Sequence, residues 1–163
     1  QALVHLADFE GTWLVRPEIA DCQDNFAYNA PYFYRFRSLT IVETDGMLRA
    51  TVAVDVFDDA TCSTRRGVVE EQFLIDTLAG TSAGRSNVIR ATFSFIGSRF
   101  GADGGAGLVM TTIPNGSLSD LLNQKFLMDR EGERLYLTSG SNGAAMDSTG
   151  HPTVFDADDY LVR

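Results

Sequence analysis

The sequence has few of the residues on which catalytic and metal sites depend. Its 163 residues include only two cysteines, two histidines and one tryptophan. The histidines, His5 and His151, stand far apart, and neither has the spacing of a zinc site or a catalytic triad. Basic residues are also scarce, with 13 Lys and Arg against 22 Asp and Glu and a net charge of −9. Because proteins bind nucleic acid by neutralising its phosphates with Lys and Arg, this balance argues against a nucleic-acid partner.

Long apolar runs are absent as well. None approaches the ~20 residues that a membrane-spanning helix needs, so no transmembrane segment is expected. The sequence starts at Gln1 without a methionine, which favours a processed N-terminus from which a signal peptide has been removed. Cys22 and Cys62 lie in polar, turn-rich surroundings, whereas free structural thiols prefer apolar cores. The pair therefore predicts a disulfide and an oxidising location: secreted, periplasmic or at the cell surface.

Apolar and polar residues alternate with a period of two along most of the chain, a pattern typical of β-strands. The clearest case is residues 47–56, and Asp45-Gly46 separates it from residues 33–43 as a hairpin turn would. Further strands are predicted at 67–78, 87–95, 108–113, 125–130, 134–139 and 160–163, and one short helix at 118–123. We therefore expect one all-β domain over residues 1–163, an antiparallel meander closing into an eight- to ten-stranded barrel with one short helix. A β-sandwich would produce the same alternation.

The start of the first strand carries a motif that points to a family. Gly11-Thr12-Trp13 is a Gly-x-Trp sequence, which resembles the opening of lipocalins and related calycin barrels. In that family the tryptophan plugs the closed end of the barrel, and an arginine from a late strand packs across it. The resemblance implies that Gly11 and Trp13 close the barrel here, with either Arg134 or Arg163 as the arginine. The substantial helix that follows the eighth strand in lipocalins is not evident.

An aromatic run at residues 26–34 is the most unusual local feature, because aromatics beyond the needs of a core often line a ligand mouth or an interface. Eight-stranded barrels are just wide enough to hold one small ligand or to be filled by side chains. The resemblance to lipocalins implies a non-enzymatic, extracytoplasmic binding protein that holds a small apolar ligand. The residues expected to contact it are Tyr28, Tyr32, Tyr34, Phe73, Phe93 and Phe95. Bulky interior candidates, including Phe126 and Met128, favour instead a barrel filled by side chains, and a missing cavity would argue against a ligand.

A structural or interaction role is the alternative hypothesis: a cell-envelope protein, or one subunit of a homopolymeric surface assembly. Residues 1–8 form an apolar arm that is suited to pairing with the sheet edge of a neighbouring copy. A third class, a glycan- or calcium-binding module, depends on exposed tyrosines and on acidic clusters at residues 55–59 and 156–159. Neither cluster has the spacing of an EF-hand loop, so no metal and no cofactor is predicted.

Two segments match the residue pattern of catalytic motifs, and both are interpreted as loops. Residues 80–84 fit Gly-x-Ser-x-Gly, but a nucleophile elbow is followed by a helix, and the residues that follow here alternate as a strand. The glycines of residues 101–107 lack the spacing of a phosphate-binding loop. The sequence therefore predicts a hairpin turn at the first and a connecting loop at the second, and no enzymatic activity.

Overall fold

The computed structural model describes residues 5–17, 21–25, 32–82, 84–102, 110–112, 125–139 and 145–163. Within these residues the chain forms one 3-10 turn, Leu6–Phe9, and ten β-strands. The strands are β1 (Gly11–Leu14), β2 (Gln23–Asn25), β3 (Tyr32–Thr44), β4 (Met47–Phe57), β5 (Arg65–Ala79), β6 (Ile89–Ala102), β7 (Met110–Thr112), β8 (Lys125–Glu131), β9 (Arg134–Ser139) and β10 (Tyr160–Val162). The predicted all-β class is confirmed, and the predicted helix at 118–123 lies outside the described residues.

Antiparallel pairing closes the sheet into a barrel. Neighbouring strands follow the order β1-β10-β9-β8-β6-β5-β4-β3, and β1 pairs again with β3, so eight strands form a closed ring. The two remaining strands are short additions, β2 on the start of β3 and β7 on the end of β6. The predicted meander and barrel are confirmed, and the sandwich is excluded because a sandwich leaves its two sheets unjoined. Closure gives every strand of the ring two partners, which removes the aggregation-prone edges of an open sheet.

The β3–β4 hairpin shows how the local sequence sets the register. Asp45 and Gly46 both have positive φ, 53° and 80°, as a two-residue hairpin turn of the favoured type requires. The backbone N–H of Gly46 also donates to Oε1 of Glu43 at 2.9 Å. The turn places Thr44 opposite Met47, and pairing then continues along both strands to Phe57. The hairpin predicted from Asp-Gly is confirmed.

Strand β6 runs beyond its predicted end at residue 95. Gln72 of β5 pairs with Gly97, whereas Phe73 pairs with Phe95, so Ile96 is an extra residue in β6. This β-bulge reverses the alternation of inward and outward side chains. The period-two pattern therefore stops at the bulge although the strand continues to Ala102.

The apolar faces of the strands fill the barrel interior. In β4 the five alternating apolar residues from Leu48 to Val56 are each at most 4% exposed. Burying an aliphatic or aromatic side chain of this kind contributes roughly 1.5–3 kcal/mol to folding. The interior cluster consists of Phe9, Trp13, Leu39, Ile41, Leu48, Ala50, Val52, Val54, Val56, Val69, Phe73, Ile75, Ile89, Ala91, Phe93, Phe126, Met128 and Leu135.

The barrel has two different ends. The turns at residues 45–46, 80–88 and 132–133 lie at one end together with the 3-10 turn, and we call it the closed end. The opposite end carries the β4–β5 connection at residues 58–64 and the start of β3, and we call it the mouth. The connection at residues 80–88 confirms that the Gly-x-Ser-x-Gly match is a turn between two strands. Within the described residues, no helix is long and apolar enough to cross a membrane.

A disulfide fastens the mouth. Cys22 and Cys62 are bonded, as the sequence predicts, and they close a loop of 40 residues. The bond joins the segment before β2 to the β4–β5 connection. Asp59 organises that connection by accepting hydrogen bonds from Ser63, Thr61 and the backbone of Thr64, which hold the pKa of its carboxyl well below the usual range. The acidic cluster around residue 59 therefore has a structural use within its own loop.

Candidate functional site

Trp13 is buried in the barrel interior beside the 3-10 turn. Its side chain is fully buried, and its indole Nε1–H donates to the backbone oxygen of Phe9 at 2.9 Å. Phe9, at the end of the 3-10 turn, is also fully buried. The 3-10 turn thus folds across the closed end and satisfies the polar atom that a buried tryptophan brings with it.

An arginine from the end of the chain packs across this tryptophan. Arg163 lies with its guanidinium 5.3 Å from the centroid of the Trp13 ring and donates to the backbone oxygen of Glu10 at 3.2 Å. A Cβ atom at Gly11 would lie only 2.9 Å from Arg163 Nη2, and Gly11 has a φ of 137°. The positive φ favours glycine, and any side chain here would also require the Arg163 guanidinium to shift. Of the two arginines left open by the sequence, the structure places Arg163 on Trp13, whereas Arg134 lies over the ring of Tyr160 at 4.4 Å.

Above the closed end, phenylalanine rings form a packed floor. The ring of Phe73 meets those of Phe93 and Phe95 edge to face, with centroids 5.9 and 5.7 Å apart. Phe93 in turn meets Phe126 at 5.2 Å. Phe73 and Phe93 expose none of their surface, so no cavity large enough for a water molecule adjoins either ring. At this depth the barrel is filled by side chains, and these two predicted ligand residues offer no surface to a ligand.

Some aromatic side chains of the interior keep accessible surface. Tyr34, Phe36 and Phe95 are half-buried and pack against the interior cluster. The rings of Tyr34 and Phe36 meet edge to face with centroids 5.7 Å apart, and the Tyr34 hydroxyl donates to Oε1 of Gln23 at 3.0 Å. Phe36 was not among the predicted ligand residues, although its position two residues after Tyr34 in β3 places it on the same face.

Two predicted ligand residues remain, Tyr32 and Tyr28. Tyr32 begins β3, where its backbone pairs with Asn25. Tyr28 lies outside the described residues. Of the six residues predicted to contact a ligand, the structure therefore places Tyr34 toward the mouth and leaves Phe95 half-buried beside the floor. It places Phe73 and Phe93 within the packed floor.

An acidic residue points into the barrel, and the sequence analysis missed it. Glu71 lies opposite Val52 of β4 and is fully buried. Its neighbours on the same face of β5 are Val69 and Phe73, both of the interior cluster. The signal was present in the sequence, because a residue midway between two inward apolar residues of a strand must itself point inward.

The two histidines are not brought together. The backbone N–H of His5 donates to Oδ1 of Asn87 at 2.9 Å, near the closed end. His151 lies elsewhere, 3% exposed, with its Nε2 3.1 Å from the hydroxyl of Thr92 and its Nδ1 2.7 Å from that of Thr149. Its backbone N–H donates to Asp147, which also forms an ion pair with Arg90 of β6. This cluster fastens residues 145–153 against the outer face of β6.

Acidification is expected to destabilise the fold through His151. Burial lowers the pKa of the imidazole, and Asp147 only partly opposes this, so the unfolded chain takes up a proton more readily than the folded chain. The contribution of His151 to stability is therefore complete above the ordinary histidine pKa of about 6.5 and is lost as the pH falls through the folded-state value. Melting temperatures measured from about pH 8 to pH 5 should fall more steeply for the wild type than for His151→Gln.

His5→Gln is the matched control for this measurement. The side chain of His5 is exposed, and its hydrogen bonds in the structure are made by its backbone. This variant should therefore keep the pH dependence of the wild type. Equal slopes for the wild type and His151→Gln would contradict the assignment of the acid sensitivity to the buried imidazole.

Part of the N-terminal arm belongs to the barrel itself. Asn87 donates to Oδ2 of Asp8 at 3.2 Å, and Arg130 donates to the backbone oxygen of Asp8 at 3.0 Å. Residues 5–8 are therefore held by contacts within the chain, and residues 1–4 lie outside the described part. Pairing of this arm with a neighbouring copy remains a prediction, and it would have to begin in residues 1–4.

The acidic clusters are engaged with other parts of the protein. Asp55 forms ion pairs with Arg37 and Arg65 on the outer face of the barrel. In the described part of the chain, no group of three or more His, Cys, Asp or Glu side chains is arranged to hold a metal ion. At residues 156–159, burial and the nearby Asp156 raise the pKa of Asp159.

Comparison of the sequence with protein families, curated proteins and solved structures gives no match. The functional interpretation therefore rests on the geometry of the barrel. Three features define it: a buried Trp13 crossed by Arg163, a floor of packed phenylalanines, and inward aromatics that stay half-buried.

Proposed function

We propose that this chain is an extracytoplasmic, lipocalin-like binding barrel that takes a small ligand with an apolar body in at its mouth. The arrangement of Gly11, Trp13 and Arg163 supports the resemblance, because it has the tryptophan plug and the crossing late arginine that the resemblance implied. The Cys22–Cys62 bond supports an oxidising location, since disulfides persist outside the cytosol.

The uneven filling of the interior carries the proposal. Around Trp13, Phe73 and Phe93 the side chains expose no surface, whereas Phe36 and Phe95 stay half-buried although they face inward. Inward aromatic side chains that remain partly exposed contribute less to the free energy of folding than fully buried ones would. Concave sites lined by apolar and aromatic side chains are typical of ligand pockets. A ligand with an apolar body would complete the burial of these rings.

Titration with the neutral apolar dye N-phenyl-1-naphthylamine tests the proposal. We expect saturable binding with a rise in dye fluorescence, because the dye would leave water for the apolar mouth. Phe36→Ala and Phe95→Ala should each weaken binding about tenfold, since each removes an aromatic contact worth about 1.4 kcal/mol.

Val42→Ala is the control variant. Val42 lies on the outer face of β3, 47% exposed, and should leave the dye affinity unchanged. Circular dichroism would establish that all three variants remain folded. Absence of saturable binding to the wild type, or equal effects of Val42→Ala and Phe36→Ala, would overturn the proposal.

A further inference from the structure

The wall of the barrel has a gap beside β3. On one side of this strand, β1 pairs with it as far as Ser38 and β2 pairs with it as far as Tyr34. Residues 35–37 lie between the two pairings, where the backbone N–H of Val15 donates to the Arg37 oxygen at 2.9 Å. In the part of the chain that the structure describes, no strand pairs with residues 35–37 on this side.

A cleft of about 360 Å³ lies at this gap. Leu14, Val15 and Pro17 line it from the end of β1 and the residues that follow, and Phe36 lines it from β3. Leu14 is 44% exposed and Phe36 is half-buried, so both have surface to offer. Small-molecule sites are clefts of roughly 300 Å³ or more, with a mainly apolar lining and a few polar groups. Unlike the packed floor, this cleft provides both space and apolar surface for a ligand.

The polar groups of the cleft are Arg35, Arg37 and Asp55. Arg35 lies directly opposite Asp55 in the β3–β4 pair, an arrangement in which opposite charges ordinarily interact. Asp55 is held instead by Arg37, which donates to both of its carboxylate oxygens, and by Arg65 at 3.5 Å. Arg37 is the extra residue of the β-bulge in β3. The bulge therefore supplies Asp55 with a partner other than Arg35.

Arg35 is left without a carboxylate partner among the described residues. Its Nη2 donates to the backbone oxygen of Cys62 at 3.4 Å, and its guanidinium lies 5.2 Å from the centroid of the Phe57 ring. These contacts hold the side chain in place at the mouth, where Cys62 is itself fixed by its disulfide. Because a guanidinium has five N–H donors, most of those of Arg35 remain for a ligand.

We propose that this cleft holds the head group of the ligand, that the ligand is an amphipathic carboxylate, and that Arg35 is its anchor. The apolar body would lie against Phe36 and Leu14. The carboxylate would accept two parallel hydrogen bonds from the Arg35 guanidinium, whose planar fork matches a carboxylate in geometry. This inference rests on the proposed function and names the class of its ligand.

The net charge of −9 does not decide the charge of the ligand. At physiological ionic strength, exposed charges more than roughly 8 Å apart are largely screened, so the charges beside the cleft matter most. There, the three guanidiniums of Arg35, Arg37 and Arg65 meet the single carboxylate of Asp55. The two aspartates of the β4–β5 connection are engaged elsewhere, one with Arg66 and one within its own loop.

Three ligands of equal chain length separate the head group from the apolar body. Octanoate, octanol and octylamine would each be used to displace N-phenyl-1-naphthylamine from the wild type at about pH 7.5, where the carboxylate and the amine are both charged. A ligand in the cleft must compete with the dye, because Phe36 is assigned to both.

Octanoate is expected to displace the dye at a concentration about tenfold or more below that of octanol, because hydrogen bonds between charged groups are the strong ones. An apolar cleft without an anchor would give the reverse order, since a neutral alcohol leaves water more readily than a carboxylate does. Octylamine should be the weakest of the three, because it brings an ammonium group beside Arg35 and Arg37.

Arg35→Gln and Arg49→Gln form a matched pair of variants, because each removes one positive charge. Arg49 lies on the outer face of β4 near the closed end, where it is exposed and opposite Val42. Arg35→Gln should bind the dye and lose the preference for octanoate, whereas Arg49→Gln should keep it. Arg35→Lys should keep part of the preference, since lysine retains the charge without the planar fork.

The two proposals fail in different ways. Wild-type protein that binds the dye but shows no preference for octanoate over octanol overturns the carboxylate anchor and leaves the binding barrel intact. A preference that survives in Arg35→Gln has the same meaning. If the wild type binds no dye and none of the three ligands, the binding function itself is wrong. The wild-type comparison needs no variant, so it decides the matter even if Arg35→Gln does not fold.

Discussion

Trp13→Ala is expected to lower the free energy of unfolding by about 4 kcal/mol, within the range for removing a tryptophan from a core. The indole is fully buried at the closed end, where its Nε1–H bonds to Phe9 and its face receives Arg163. Its loss leaves a cavity at the closed end, an unsatisfied Phe9 oxygen and an arginine without its aromatic partner. Urea denaturation followed by far-ultraviolet circular dichroism measures the effect, because the variant has no tryptophan left to report by fluorescence.

Leu14→Ala is the matched control. Leu14 is the next residue of β1, but it points outward and is 44% exposed. Its truncation should change stability by no more than about 0.5 kcal/mol, as surface substitutions usually do. A Trp13→Ala loss below about 1 kcal/mol would show that the closed end does not depend on this side chain.

Replacing both Cys22 and Cys62 by serine is expected to lower the free energy of unfolding by about 4 kcal/mol. The reason lies mainly in the unfolded chain, since the bond closes a loop of 40 residues and so removes many unfolded conformations. The bond also joins two segments at the mouth. The double variant should therefore bind N-phenyl-1-naphthylamine more weakly at a temperature where it is still folded.

Denaturation of the wild type with and without dithiothreitol is the companion experiment. The reduced wild type should have the same free energy of unfolding as the double serine variant, because both lack the cross-link. The two proteins differ only in the side chains at positions 22 and 62. If reduction left the stability of the wild type unchanged, the disulfide would not constrain the unfolded state as we expect.

Local patterns were sufficient for the strands that form the walls of the barrel. In β4, the alternation from Leu48 to Val56 predicted both the strand and its buried face, because inward and outward side chains must alternate along an extended backbone. Asp45-Gly46 predicted the turn, since few other residue pairs accept two positive φ angles. Cys22 and Cys62 predicted their bond because they are a single pair and both lie in polar, turn-rich surroundings.

Sequence periodicity did not predict the structural features that lack a period of their own. β2 has three residues, too few to show an alternation, and it was not predicted. The bulge at Ile96 shifts the alternation of β6, so the strand was predicted to end there. Glu71 was not predicted, because the alternation of apolar residues does not mark a polar residue on the same face.

The sequence by itself determined the strand class, the hairpin register at Asp45-Gly46 and the disulfide, because each depends on residues that are adjacent or on a single possible pair. Only the tertiary structure decided which arginine crosses Trp13, because Arg163 and Arg134 are equivalent until the closing pair of β1 and β10 is formed. It also decided which inward aromatics are fully buried and which stay partly exposed. Phe73 and Phe95 are direct cross-strand partners with different exposure, so this distinction depends on what packs against each ring in the closed barrel, which a period of two does not contain.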